Sequence, residues 1–295
     1  MNKPNRFDGV FTALVTPFDD RGEIDWDSFD RFLDWQIASG IAGLVPVGTT
    51  GEAATLSEFE AAALIERTVK RAEGKVYVLA GAGSNNTARA VAATRRAFDA
   101  GADGVLHITP YYNKPGQAGL VAHFSAVAKA ARGDVMLYSV PGRTGIAVEA
   151  ATAAELAASH PNIVAIKEAG GDPARCTALR TACGRDFVIH CGDDGLALAF
   201  FALGARGLTS VLSNVRPAEC VALHRAWASG DRDGALDLHE RLAPAAAAMF
   251  VESSPGPAKF MLEREGRMGR TMRLPLVPTS IAGQSAVLAA LASAA

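Results

Sequence analysis

Short apolar runs rich in β-branched residues recur at 10–15, 43–47, 76–80, 104–108, 135–138, 163–167, 187–190 and 207–211. Each is brief and lacks the polar alternation of a half-exposed strand, so each reads as a strand buried on both faces. Between them lie longer Ala-rich amphipathic stretches, such as 58–72, 88–100 and 119–131, which read as helices. Ser57 and Glu60 fit a capping box at the start of the first of these helices. Strand–helix alternation implies a parallel sheet. About eight repeats over about 215 residues imply a closed (β/α)8 barrel, the α/β TIM-barrel class. Pro46 fits badly inside the second run, because a closed barrel has no edge strand to tolerate it. A bulge or an irregular strand start is expected there.

The alternation stops after about residue 215, where helix-like segments follow at 218–229, 234–252, 257–265 and 281–294. The Arg- and Pro-rich stretch 268–279 reads as a loop. The expected organisation is a barrel domain over 1–229 and a small C-terminal helical extension over 230–295, with no linker that would separate independent units.

Composition narrows the function. Of 295 residues, 49% are hydrophobic, enough for a large core. A formal charge of −2 argues against a basic nucleic-acid surface or a polybasic membrane patch. No stretch approaches the roughly 20 apolar residues of a membrane helix. Residues 1–18 lack a signal-peptide pattern, so a cytoplasmic location is expected. Cys176, Cys183, Cys191 and Cys220 form no C-x-x-C pair and have no nearby histidine at metal-ligand spacing, so they read as free thiols. No metal is expected. The Gly81-Ala82-Gly83-Ser84-Asn85-Asn86 stretch lacks the third glycine of a dinucleotide fingerprint, and His239-Glu240 lacks the second histidine of a zinc-protease helix. Asp193-Asp194 has no further carboxylates to make a metal cluster and reads as a hydrogen-bonding pair at the rim.

Barrel chemistry sits at the C-terminal strand ends and the loops that follow. Those ends carry Gly48-Thr49-Thr50-Gly51-Glu52, Thr109-Pro110-Tyr111-Tyr112-Asn113, Tyr138 with Gly142-Arg143-Thr144-Gly145, Lys167-Glu168, and Cys191-Gly192-Asp193-Asp194. Alternation places Ile163, Ala165 and Lys167 on one face, with Ile166 and Glu168 on the other. An inward Lys167 has two readings. Desolvation disfavours an ammonium and frees a lysine amine as a nucleophile, or the lysine is structural and paired to a carboxylate across the barrel. Tyr138 reads as an acid–base group or as an aromatic plug. Thr49 and Thr50 read as a carboxylate-binding loop or a plain turn, and Arg143 as a carboxylate clamp or an exposed loop charge.

Taken in order, Val47-Gly48-Thr49-Thr50-Gly51-Glu52, Thr109-Pro110-Tyr111-Tyr112-Asn113-Lys114-Pro115, Tyr138-Ser139-Val140-Pro141-Gly142-Arg143-Thr144-Gly145 and Ile166-Lys167-Glu168-Ala169 resemble the dihydrodipicolinate synthase family of pyruvate-dependent class I aldolases. The resemblance spans nearly the whole chain. It implies a lyase that condenses pyruvate with L-aspartate-4-semialdehyde in lysine and diaminopimelate biosynthesis, with no cofactor beyond a Schiff base on Lys167. By the same resemblance, Thr50 and the N–H groups of Thr49 and Thr50 bind the pyruvate carboxylate. Tyr138 moves protons, and Thr49 links it to Tyr112 from a neighbouring subunit. Arg143 binds the semialdehyde carboxylate, and backbone at Gly192 and Thr209 lines the pyruvate pocket. A homotetramer built as a dimer of dimers is implied.

Arg143 favours this branch over N-acetylneuraminate lyases. The alternatives are another pyruvate lyase acting on a 2-keto-3-deoxy sugar acid, or a non-catalytic barrel that binds a keto acid. Ser139, Thr209 and Ser213 depart from the family's usual residues. Many relatives are inhibited by lysine in a cleft between subunits. Asn85 and Tyr111 fit that cleft, but Arg89 stands where sensitive relatives carry a glutamate and Ala61 where a histidine is common.

Overall fold

A computed structural model describes residues 7–293. Eight parallel strands close into a barrel in sequence order. They are β1 (Gly9–Ala13), β2 (Gly43–Val45), β3 (Tyr77–Gly81), β4 (Gly104–Ile108), β5 (Asp134–Ser139), β6 (Ile163–Glu168), β7 (Val188–Cys191) and β8 (Gly207–Ser210). β8 returns to pair with β1, in register Phe11 to Thr209. Helices Trp26–Ala38, Glu58–Ala72, Thr87–Asp99, Gln117–Ala130, Ala150–Ser159, Ala174–Cys183, Ala197–Ala202 and Pro217–Ser229 cover the outside. Helices Arg232–Ala248, Gly256–Arg264 and Ile281–Ser293 form the C-terminal extension. The last residue of the expected helix 281–294 lies outside the described residues.

The alternation of strand side chains builds two cores. Val10, Leu44, Val78, Val105, Leu137, Ile166 and Ile189 face the helices. Phe7, Phe11, Val45, Leu79, Leu106, Met136, Ala165 and Val188 fill the barrel. Each of these side chains other than Ala165 contributes roughly 1.5–3 kcal/mol by leaving water. Gly43 permits the interior packing, since a Cβ there would lie 2.6 Å from the Phe11 ring. The capping box at Glu58–Ala72 is present in full, with Ser57 accepting from the Glu60 N–H and Glu60 accepting from the Ser57 N–H.

Two expectations need correction. Pro46 neither bulges the strand nor begins it: β2 ends at Val45, and Pro46 stands just past the ladder, where a missing N–H does no harm. Its carbonyl still accepts from Gly81 N at 2.9 Å. Ile163 does not share a face with Ala165 and Lys167. It joins the outer core while Ala165 joins the inner one. The register of β5 against β6 shifts between Val135 and Met136, so Ile163 and Ala165 pair with adjacent residues.

Among the described residues, no helix is long and apolar enough to cross a membrane, and no group of His, Cys, Asp and Glu is arranged to hold a metal ion. All four cysteines are free thiols.

Candidate active site

Tyr138, Lys167 and His190 stand side by side on β5, β6 and β7. All three are buried, with Lys167 5% and Tyr138 7% exposed. The Lys167 Nζ lies 4.3 Å from the centre of the Tyr138 ring. Among the described residues Lys167 makes no ion pair, which removes the reading of a lysine neutralised across the barrel. Glu168, on the opposite face, pairs instead with Arg175 at 3.2 Å and accepts from Gly170 N. Burial pushes the Glu168 carboxyl up, against the opposing pull of Arg175. Gly192 lets the lysine stem pass: a Cβ there would lie 2.9 Å from the Lys167 Cε.

The segment after β2 turns sharply. Val47 and Glu52 hold φ near +59° and +56°, and between them Gly48 O accepts from both Gly51 N and Ala53 N. Gly81 makes room for this bend, since a Cβ there would meet the Val47 carbonyl at 2.0 Å. The backbone N–H groups of Thr49 and Thr50 have no acceptor among the described residues. Two adjacent unpaired N–H groups in such a turn form a seat for an anion. Thr50 is buried and Thr49 exposed.

Tyr112 and Arg143 lie outside this cluster. Tyr112 is 90% exposed and holds φ at +74°. Among the described residues, no hydrogen bond joins Tyr112 to Thr49, or Thr49 to Tyr138. Arg143 sits on the short helix Pro141–Thr144, exposed and without an ion pair among the described residues.

Thr209 has a partner that sequence reasoning missed. His190 Nε2 stands 2.6 Å from the Phe7 carbonyl, which can only accept, so Nε2 carries the proton. Nδ1 then accepts from the Thr209 hydroxyl at 2.9 Å. Burial pushes His190 down to about 4, in keeping with a neutral ring. The Thr209 departure from an apolar residue is thus matched by a buried histidine. The even spacing of Val188 and His190 within one strand was the available signal.

Ser139, buried on β5, accepts from Val148 N, and Ser213 donates to Thr12 Oγ1. Asp194 behaves as the expected rim hydrogen-bonder, accepting from the Ser210 hydroxyl and from the N–H groups of Val211 and Leu212.

A closed parallel barrel with its polar groups gathered at the C-terminal mouth is the arrangement of a (β/α)8 enzyme. Comparison with known proteins narrows this class. Residues 6–294 match the dihydrodipicolinate synthetase family. The chain is 47% identical over 284 residues to a 4-hydroxy-tetrahydrodipicolinate synthase of Sorangium cellulosum, covering 96% of this chain and 94% of that one. The solved 4-hydroxy-tetrahydrodipicolinate synthase of Methylacidiphilum fumariolicum SolV superposes with a TM-score of 0.95 at 40% identity, covering 97% of this chain and 95% of that one. A solved chain described as the first monomeric dihydrodipicolinate synthase variant does so at 0.95 and 37%, covering 98% and 97%. The chain belongs to the dihydrodipicolinate synthetase family, a family of lyases.

Proposed function

We propose that this protein condenses pyruvate with L-aspartate-4-semialdehyde, the 4-hydroxy-tetrahydrodipicolinate synthase reaction of lysine and diaminopimelate biosynthesis. The observation that carries this reading is an unpaired lysine beside Tyr138 in a barrel mouth that also holds two adjacent unpaired N–H groups.

The Lys167 amine attacks the pyruvate ketone and water leaves, giving an imine. Loss of a methyl proton gives an enamine, whose carbon attacks the aldehyde and forms the new C–C bond. Attack of the semialdehyde's own amino group on the imine carbon then closes the ring and frees Lys167. The protein carries the chemistry on its own side chains, with no cofactor. Thr50 and the Thr49 and Thr50 N–H groups hold the pyruvate carboxylate. Tyr138 moves the protons, and Arg143 takes the semialdehyde carboxylate in a two-point fork.

Thr49 links Tyr138 to a Tyr112 supplied by a second copy. The almost full exposure of Tyr112 in a left-handed backbone conformation supports that role. A cytoplasmic homotetramer, a dimer of dimers, is the assembly that this reading calls for, with Gly192 and Thr209 lining the pyruvate pocket.

The test is a coupled assay of pyruvate with L-aspartate-4-semialdehyde beside a panel of 2-keto-3-deoxy sugar acids. Turnover with the semialdehyde is expected. Turnover with a sugar acid alone would overturn the assignment.

A further inference from the structure

Glu52 closes the Gly48-Thr49-Thr50-Gly51 turn, yet its side chain reaches the C-terminal helices. Its carboxylate pairs with Lys259 of the helix Gly256–Arg264, and neither side chain has any exposure. The other carboxylate oxygen accepts from Arg273 N at 3.0 Å. Lys259 Nζ also donates to the Thr271 carbonyl at 2.8 Å and lies 4.4 Å from the centre of the Phe18 ring. The Arg273 guanidinium donates to the carbonyls of Thr55 and Gly22 and pairs with Glu60. Two stretches more than two hundred residues apart in sequence are thus tied at both oxygens of one carboxylate.

Stability alone does not explain the pair. A buried ion pair is often no more stable than an apolar pair of similar volume. Burial pushes the Lys259 ammonium down to about 8 even with Glu52 beside it. What the pair does have is leverage. Val47 and Glu52 bracket the turn at left-handed φ values, which non-glycine residues keep only when their surroundings impose them. The unpaired Thr49 and Thr50 N–H groups lie between these two points.

We propose that Glu52 and Lys259 are positioning residues, through which the C-terminal helices hold the Thr49 and Thr50 N–H groups in register for the pyruvate carboxylate. The proposal rests on the reading of that turn as the pyruvate seat. Neither residue touches substrate. Their effect is on pyruvate affinity, not on the second substrate.

The experiment titrates pyruvate against borohydride-trapped adduct on the full-length enzyme and measures the half-saturating level of each substrate in turnover. Glu52→Gln should raise the pyruvate needed for half-maximal trapping about tenfold, the scale of one lost charge-assisted hydrogen bond. Half-saturation by aspartate semialdehyde should stay within about twofold on the same scale. Leu156→Ala, buried in the outer helix layer, serves as a control for loss of stability alone and should leave pyruvate half-saturation unchanged. If Glu52→Gln fails to fold, Glu52→Asp gives the same reading, since it keeps the charge but its shorter stem draws the carboxylate away from Lys259 and Arg273 N, with a smaller rise in pyruvate half-saturation.

An unshifted pyruvate requirement in a folded Glu52→Gln or in Glu52→Asp, or an equal shift in Leu156→Ala, overturns the positioning role while leaving the proposed reaction intact. A native enzyme that traps no pyruvate at all overturns the proposed reaction and this role with it.

Discussion

The lower and upper halves of the barrel interior are built on opposite rules. Below, aromatic rings close the bore. Phe7 stacks on Phe11 at 5.9 Å between ring centres and tilts against Tyr77 at 5.0 Å, and His190 meets Phe11 edge-on at 5.0 Å. The polar groups in that stack are satisfied: both His190 nitrogens are bonded, and the Tyr77 hydroxyl donates to Asp134 at 2.9 Å. Above, Lys167 has a tyrosine ring for company and no counter-ion among the described residues, and two backbone N–H groups stand unpaired. Buried polar groups are nearly always paired. The lower half follows that rule, whereas the upper half leaves Lys167 without a counter-ion and the Thr49 and Thr50 N–H groups open to a ligand.

The largest effect is expected at Lys167. Lys167→Arg should abolish nearly all turnover, because a guanidinium stays protonated and cannot condense with a ketone. The thermal midpoint should change little, since the residue has no ion pair to lose.

Tyr112→Phe comes next, with an expected kcat loss of roughly 10²–10⁴-fold for a displaced acid–base group. Mixing inactive Tyr112→Phe and Tyr138→Phe subunits should restore part of the activity. Thoroughly mixed hybrids that stay dead would show that no site is shared between subunits.

The lower half is probed by Phe11→Ala, which should lower stability by about 3–5 kcal/mol in a denaturant titration. A loss below about 1 kcal/mol would mean that the ring stack is not tightly packed.

Arg143→Ala should weaken semialdehyde use by about 1.5–3 kcal/mol, the scale of a hydrogen bond to a charged group, while pyruvate trapping is spared. Equal damage to both steps would make Arg143 structural.

The smallest effect is expected from lysine as an inhibitor. Arg89 is exposed on the helix Thr87–Asp99, and Asn85 donates to the Tyr111 carbonyl at 3.2 Å. A glutamate-to-arginine exchange at that position turns attraction for an ammonium into repulsion, each about 4 kcal/mol at 4 Å and an effective dielectric of 20 before screening. Millimolar lysine should therefore leave the rate nearly unchanged. A half-maximal effect below about 1 mM would contradict this.

Much of the architecture was legible because its signals are local. Buried strands and helix caps are written in adjacent residues, as at Ser57 and Glu60. Lys167 announced itself at a strand end. The misreadings arose where pairing between strands intervened. A register shift turned Ile163 outward, and an early end to β2 left Pro46 beyond the ladder. The pairings of His190 and Lys259 were illegible because Phe7 and Glu52, which meet them, lie far away in sequence. A lone lysine inside the apolar run 258–262 was the only hint of the second pair.

Capture of pyruvate by Lys167 is measured most directly by borohydride reduction of the enzyme with pyruvate, followed by peptide mass spectrometry. One reduced pyruvate adduct per chain is expected, on the peptide carrying Lys167. An adduct on another lysine, or none at saturating pyruvate, would contradict it.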